Sequence, residues 1–318
     1  MRPQRRRSER LRGGAAIALF AGIDGGQSST IAAIGDERDL IARGSGPPAD
    51  LVGEPRDSGR QLAALEAALG SALAVARLDP ATRLQAVVAG ISGFDRGLSP
   101  VPVLGERAER VTIAHDTVIA HEGALGGAAG IVVIGGSGSV ALGNAEPGTP
   151  FVRCGGWGYF FGDEGSAIWI ARSALRLAML REDREEPGAL GARAHAFYGT
   201  NSLRAIQHAF AHGDISRPAL AAFASEVFDC AAEGDRDALR VRDAAAAELA
   251  ALAATVDRRL EATPIRLVSY AGGLFGDEPF TDAFGQALLE TLPHANFVAP
   301  AGDPALGALS LARKSVRA

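Results

Sequence analysis

Lysine is almost missing from this chain: among 32 basic residues in a length of 318, Lys314 is the one lysine. That shortage removes several mechanisms. A Walker A loop needs a Gly-Lys pair to reach terminal phosphates, a Schiff-base enzyme needs a buried lysine, and a Ser-x-x-Lys acyltransferase needs one three residues on. The arginine bias reads as genome base composition rather than function. Cysteine is equally scarce. Cys154 and Cys230 lie far apart and outside any Cys-x-x-Cys pair, which implies neither a disulfide framework nor a structural zinc site. Six histidines include His208 and His212 on one helical face, with no carboxylate nearby to complete a ligand set. No apolar run approaches the ~20 residues of a membrane span. Met1 to Arg12 is basic and Ala15 to Ile23 apolar, which imitates a signal peptide, yet the run leads into Asp24-Gly25-Gly26 and a second apolar stretch instead of a cleavage site. Residues 1–14 read as a disordered basic arm, and the protein as cytoplasmic.

The remaining composition, 47% hydrophobic and 22% charged with net charge −5, excludes a disordered, collagenous or coiled-coil chain and fits about two domains. The 40 glycines are scattered through apolar sequence, which marks turns and close backbone approaches. Two segments look like a weak repeat. Strand Ala18–Ile23 ends in Asp24-Gly25-Gly26-Gln27-Ser28-Ser29, strand Ile131–Ile134 ends in Gly135-Gly136-Ser137-Gly138-Ser139, and in each a second strand returns. Between them, Leu62, Leu65, Leu69 and Leu73 space a helix over 59–76, Gln85–Ile91 is a buried strand, and Val111–Ala114 is a short strand ending at His115-Asp116. Further on, a helix is expected over 164–180 with Asp163 as its cap, alanine-rich helices over 217–260 broken near Gly234-Asp235, and a last helix over 303–313. Alternating strands and helices in two similar halves predict an α/β protein with its ligand in the crevice between them.

Four constellations can carry chemistry. In the first turn, glycines let a phosphate approach backbone, Ser28 and Thr30 offer hydroxyls, and Asp24 could hold hydrated magnesium; alone, an Asp-Gly pair is also an ordinary hairpin turn. The second turn repeats the pattern, and the duplication favours a phosphate role for both. Neither fits a dinucleotide fingerprint. Asp116, at a strand end before a small-residue helix, suits a general base for phosphoryl transfer to a hydroxyl, or simply caps that helix. The stretch from Cys154 to Ser166 mixes glycines with Trp157, Tyr159, Phe160 and Phe161 and includes Asp163. It can pack an aromatic on a sugar face and accept hydroxyl hydrogen bonds, or form a tight structural loop. Tyr270 to Phe275 would let adenine lie on backbone, or start a helix.

On these residues the chain resembles the N-acetylglucosamine kinases and the related BadF/BadG/BcrA/BcrD-type ATPases of the actin, sugar kinase and Hsp70 superfamily, over Phe20 to Leu311. The most specific piece is residues 154–170, similar to the GlcNAc kinase sugar loop. The resemblance implies a two-domain actin-like ATPase (ribonuclease H-like) fold with the ligand cleft between domains. Residues 15–115, completed by a C-terminal helix at 304–318, would form one domain and residues 116–303 the larger one. It implies an ATP-dependent kinase phosphorylating the primary (6-) hydroxyl of N-acetylglucosamine, with Asp116 as catalytic base and Asp24 holding Mg2+ through water. Gly25, Gly26, Ser28, Ser137 and Gly138 would bind phosphate, and Ala221, Gly272 and Gly273 would face adenosine. Asp50, Asp116, Ser139, Val140, Gly156, Trp157, Gly158 and Asp163 would surround the sugar. A homodimer is implied, with neither nucleic acid nor membrane as partner.

Two departures stand out. Where the family usually reads Gly-Gly-Gly-Thr-Lys-Thr, this chain has Gly-Gly-Gln-Ser-Ser-Thr, so Gln27 places a side chain where backbone normally faces phosphate. Asp50 stands where the family usually has a sugar-binding asparagine; it accepts but cannot donate, and its charge favours an ammonium, which raises glucosamine as a competing substrate. Two rivals remain: a non-catalytic sugar or nucleotide sensor, and the activator ATPase of a radical dehydratase, whose iron–sulfur cysteine spacing Cys154 and Cys230 do not match.

Overall fold

The computed structural model describes residues 18–50, 58–94, 104–261 and 265–317; the basic arm expected at 1–14 lies outside them. The chain forms two compact units, Met1–Gly123 with Pro304–Ala318, and Ala124–Asp303.

The sheet of the first unit runs in the order β3 (Leu40–Gly46), β2 (Thr30–Gly35), β1 (Phe20–Gly25), β4 (Leu84–Ile91), β5 (Ala108–His115). β1, β2 and β3 are antiparallel neighbours, while β4 and β5 run parallel to β1. Alternation along β1 sends Ala21 and Ile23 to one face and Phe20 and Gly22 to the other. On the first face lies helix α1 (Ser58–Ala76), whose Leu65, Leu69 and Leu73 recur at helical spacing and are fully buried against Ile23, Ile34 and Val87. On the second face lies the last helix of the chain, Pro304–Arg317, through Ala305, Ala308, Leu309 and Ala312. Its small residues let it approach until a Cβ added at Gly22 would sit 2.0 Å from Leu309 N. Helix α2 (Asp116–Leu125) follows β5 directly.

In the second unit the order is β10 (Ala295–Phe297), β9 (Arg266–Ala271), β6 (Gly130–Gly135), β7 (Ser139–Asn144), β8 (Val152–Gly155). β6, β7 and β8 are antiparallel neighbours, and β9 and β10 are parallel. The two sheets thus share one topology, each built around an antiparallel hairpin whose turn is one of the two glycine loops. Helices α3 (Ala167–Asp183), α6 (Arg217–Ala232), α7 (Arg236–Arg259) and α8 (Glu278–Thr291) bury Phe223, Leu249, Phe280 and Phe284 with Ile131 and Val133 of β6. The shorter α4 (Ala189–Tyr198) and α5 (Leu203–His212) join the same cluster through Leu190, Leu203 and Ile206.

The helix starts follow capping chemistry. Ser166, Ser202, Ser216, Asp235 and Asp277 each accept from the backbone N–H of the third residue onward. This corrects one expectation: α3 begins at Ala167 and is capped by Ser166, not by Asp163. Asp163 is held in the left-handed region, with φ of 60°, where it cannot serve as an N-cap of extended backbone.

Candidate active site

In the first unit, β1 delivers Asp24 and Gly25 to a turn closed by Gly26 N–H donating to Ser29 O at 3.1 Å. The turn is bound to its surroundings on two sides. Gly26 O accepts from Ala49 N and Asp50 N at 3.1 and 3.4 Å, and Gly25 O accepts from Ser92 N at 3.0 Å. Thr30 Oγ1 donates to Pro47 O at 2.7 Å. The stretch after β3 is therefore latched to the turn, which places buried Asp50 directly beside Gly26. Ser28 and Ser29 are exposed.

The parallel register brings Asp24 opposite Gly90 of β4, while Ile91 lies opposite His115 of β5. Asp24 and Asp116 consequently lie at the carboxyl ends of β1 and β5, the two strands that flank β4, where open α/β sheets collect their ligands. Asp116 begins α2. Its Oδ1 is sealed from solvent and lies 2.6 Å from His115 Nδ1, which also sits 2.9 Å from Thr117 Oγ1. Thr117 N–H donates to the same nitrogen at 3.2 Å, so the imidazole is fixed against the start of α2 and packs directly on the carboxylate of Asp116. His115 is a contact of Asp116 to which the sequence reading gives no role. The signal was the bare His-Asp pair at a strand end.

In the second unit the glycine turn and the aromatic loop form one hydrogen-bonded body. Gly136 O accepts from Ala167 N at 2.9 Å, and Ser139 O accepts from Gly156 N at 2.8 Å. Ser139 Oγ donates to Glu164 O at 2.7 Å, and Ser139 N–H donates to Asp163 Oδ1 at 3.3 Å. Val140 is paired with Gly155 across the β7–β8 ladder. A Cβ at Gly138 would lie 3.0 Å from Asp163 Oδ2, so the absence of a side chain there is what admits the carboxylate. The structure thus gathers Gly138, Ser139, Val140, Gly156, Gly158 and Asp163 around one point, with Ser137 in the same turn. Trp157 is 78% exposed, as are its neighbours Phe160 and Phe161 at 72% and 83%. Gly272, with φ of 102°, packs so closely under the turn that a Cβ would meet Gly135 O at 2.3 Å. The glycine at 273 opens a short 3-10 turn, whereas Ala221 stands partly buried on α6.

Asp163 is the electrostatic centre of this body. Burial pushes its carboxyl pKa up, and the charge of Glu164 adds to the rise; N–H groups of Ser139 and Gly158 and the charge of Arg153 oppose it. A buried, conformationally strained aspartate with a raised pKa is costly to the fold, and such groups concentrate where ligands bind. The sign follows. The folded carboxyl binds its proton more tightly than the unfolded one, so stability falls as pH rises from the ordinary carboxylate range to the raised value. Asp163→Asn keeps an acceptor for Ser139 N–H, tolerates the left-handed backbone and carries no charge. It raises unfolding stability by about 1 kcal/mol at pH 7. Urea unfolding at pH 7 and in the ordinary carboxylate range checks this: the advantage shrinks at the lower pH, and an unchanged advantage would show that charge is not its cause.

The donor set also bears on a metal. Asp24 presents a single carboxylate at the end of β1 beside exposed hydroxyls, and no group of three or more His, Cys, Asp or Glu side chains is assembled among the described residues. One carboxylate fits magnesium, which keeps most of its water and takes its other ligands from substrate phosphates.

A family model for the BadF/BadG/BcrA/BcrD ATPase family matches residues 21–312. The chain belongs to this family. An N-acetylmuramic acid/N-acetylglucosamine kinase from Clostridium acetobutylicum is 28% identical over 64% of this chain and 67% of the relative. An N-acetyl-D-glucosamine kinase from Dictyostelium discoideum is 26% identical over 93% and 98%. Among solved structures, a protein of Chromobacterium violaceum provisionally designated an N-acetylglucosamine kinase superposes with a TM-score of 0.77 at 26% identity, covering 93% of this chain and 99% of that one. A ROK family glucokinase from Streptomyces griseus, solved with glucose and AMPPNP, superposes with a TM-score of 0.61 at 17% identity over 93% and 100%. At that identity the likeness concerns the fold, which is the actin-like one. Both glycine turns, the aromatic loop and the Gly272 turn all fall inside the segment matched by the BadF/BadG/BcrA/BcrD model.

Proposed function

We propose that this BadF/BadG/BcrA/BcrD ATPase is an ATP-dependent amino-sugar kinase that transfers a phosphoryl group to the primary (6-) hydroxyl of N-acetylglucosamine. The observation that carries the reading is the strained, buried Asp163 locked to the second glycine turn, in a chain whose curated relatives are named for N-acetylglucosamine and N-acetylmuramic acid. Asp116, packed against His115, takes the proton of the attacking hydroxyl. Gly25, Gly26 and Ser28 in the first turn, with Ser137 and Gly138 in the second, supply backbone N–H groups and hydroxyls to the phosphates. Ala221, Gly272 and Gly273 face adenosine. Ser139, Val140, Gly156, Trp157, Gly158, Asp163 and Asp50 hold the sugar, the carboxylates accepting from its hydroxyls and Trp157 offering a flat apolar face. Asp24 holds Mg2+ through water, and the ion, when bound, neutralises developing phosphate charge. A cytoplasmic location and a homodimer go with this reading; no helix among the described residues is long and apolar enough to cross a membrane.

One feature favours a second substrate. Asp50 is buried and hydrogen-bonded through its backbone to Gly26, and a carboxylate in that place attracts the ammonium of glucosamine. The iron–sulfur rival loses ground, because Cys230 is fully buried inside α6 and Cys154 lies on β8. The test is ADP release from ATP and Mg2+ with N-acetylglucosamine, glucosamine, N-acetylmuramic acid, N-acetylmannosamine and glucose. Stimulation by N-acetylglucosamine above the others supports the proposal. Stimulation by glucosamine alone transfers it to the second substrate, and sugar binding without turnover makes the protein a sensor.

A further inference from the structure

The second unit contains a cavity of about 530 Å³ walled by Trp169 and Met179 of α3, Ile206 and Phe210 of α5, Ile215, and Leu220 of α6. None of the residues assigned above to sugar, phosphate or adenosine lines it. Its size lies within the roughly 300–1,000 Å³ of small-molecule sites, and its wall is mostly carbon with a few polar groups. Two of those groups are arginines. Arg172 and Arg176 stand one turn apart on α3 and both line the cavity. Like charges at that spacing repel unless an anion lies between them. Arg176 makes no ion pair or hydrogen bond among the described residues, whereas Arg172 is engaged by a backbone carbonyl. An apolar chamber with a guanidinium left over at its wall matches a molecule with an apolar body and one carboxylate.

The wall is also connected to the aromatic loop. Arg172 Nη1 donates to Tyr159 O at 2.8 Å, and the Arg217 guanidinium carbon lies 4.2 Å from the centre of the Tyr159 ring. Arg217 begins α6, three residues before Leu220 of the cavity wall. Tyr159 in turn makes an edge contact with Phe160, and Phe160 with Phe161. A carboxylate that draws Arg172 off the Tyr159 carbonyl removes one of the bonds that fix this loop.

We propose that this cavity binds an anionic amphiphile, a carboxylate on an apolar body, and that its occupancy is relayed through Arg172 to the loop bearing Trp157. Binding stands independently of the kinase reading; only the effect on turnover rests on it. The experiment uses the full chain and sodium octanoate, with octanol and octylammonium as probes of equal length. Calorimetry is expected to show saturable octanoate binding, with both controls at least about tenfold weaker. Arg176→Gln, at an exposed position, weakens octanoate about tenfold, and Ala211→Trp, at an exposed position on the cavity rim, abolishes binding. The chain has two tryptophans, so Trp169→Phe leaves Trp157 as the sole reporter of the loop. Its emission should change with octanoate over the same concentrations as the heat signal, and the half-saturating sugar concentration should rise about fivefold. Absence of saturable binding, indifference to both Arg176→Gln and Ala211→Trp, or displacement by ATP overturns the site. Binding with a silent Trp157 overturns the relay. A Trp157 response in a protein that phosphorylates none of the sugars leaves the relay supported and removes the kinase reading instead.

Discussion

Asp116→Asn lowers kcat for sugar-stimulated ADP release about 100- to 10,000-fold, with the Michaelis constant for ATP and the unfolding midpoint close to wild type. The amide has the carboxylate's shape and can take the same place beside His115, so the start of α2 is preserved. What it cannot do is take a proton from the attacking hydroxyl. An effect confined to kcat separates this role from a structural one, because a residue that merely capped α2 would change stability first, by about 1 kcal/mol. Steady-state kinetics with a coupled ADP assay, beside urea unfolding, make the comparison. Residual kcat within tenfold of wild type would falsify the assignment of Asp116 as base.

The second large effect is on folding. Gly22→Ala destabilises the first unit by about 3 kcal/mol or more, and thermal or denaturant unfolding of the full chain should resolve it as an earlier transition. The cause is geometric: the new methyl would lie 2.0 Å from Leu309 N and 2.4 Å from Ala305 O, both backbone atoms that cannot rotate away. The helix must lift off the sheet, which opens contacts around Phe20, Ala33 and Val88. An unfolding curve that overlays wild type would show that the helix is not seated at this distance.

Much of this architecture could be read from residues alone where apolar periodicity is strong. Leu65, Leu69 and Leu73 announce α1, and the two glycine turns announce the hairpins at β1–β2 and β6–β7. Short or edge elements escaped. Strand β3 reads Leu-Ile-Ala-Arg-Gly-Ser-Gly and β8 only Val-Arg-Cys-Gly, too brief or too polar for a period-two signal. Helices α4 and α8 also lie outside the elements expected from the sequence, although they carry helical spacing. For the candidate site, residue types pointed to Asp24, Asp116 and Asp163, but their environments depended on tertiary pairing. That Asp163 is buried against Gly138 rather than capping α3 follows from the β6–β7 turn folding back across 25 residues to Glu164, a bond no local pattern encodes. The His115–Asp116 contact was hidden for the opposite reason: neighbours in sequence are usually splayed apart on a strand, and only the turn into α2 brings them together.

The position of the last helix sets an order of events during synthesis. Strands β1 to β5 emerge first, yet the face carrying Phe20, Ala33 and Val88 has no cover until residues 304–317 have left the ribosome. The second unit is contiguous and emerges in between, a wait on the order of 10–40 s at roughly 5–20 residues per second. The later half of the polypeptide can therefore reach its native state before the earlier half. The exposed sheet face makes the nascent amino-terminal segment a natural client for chaperones through that interval.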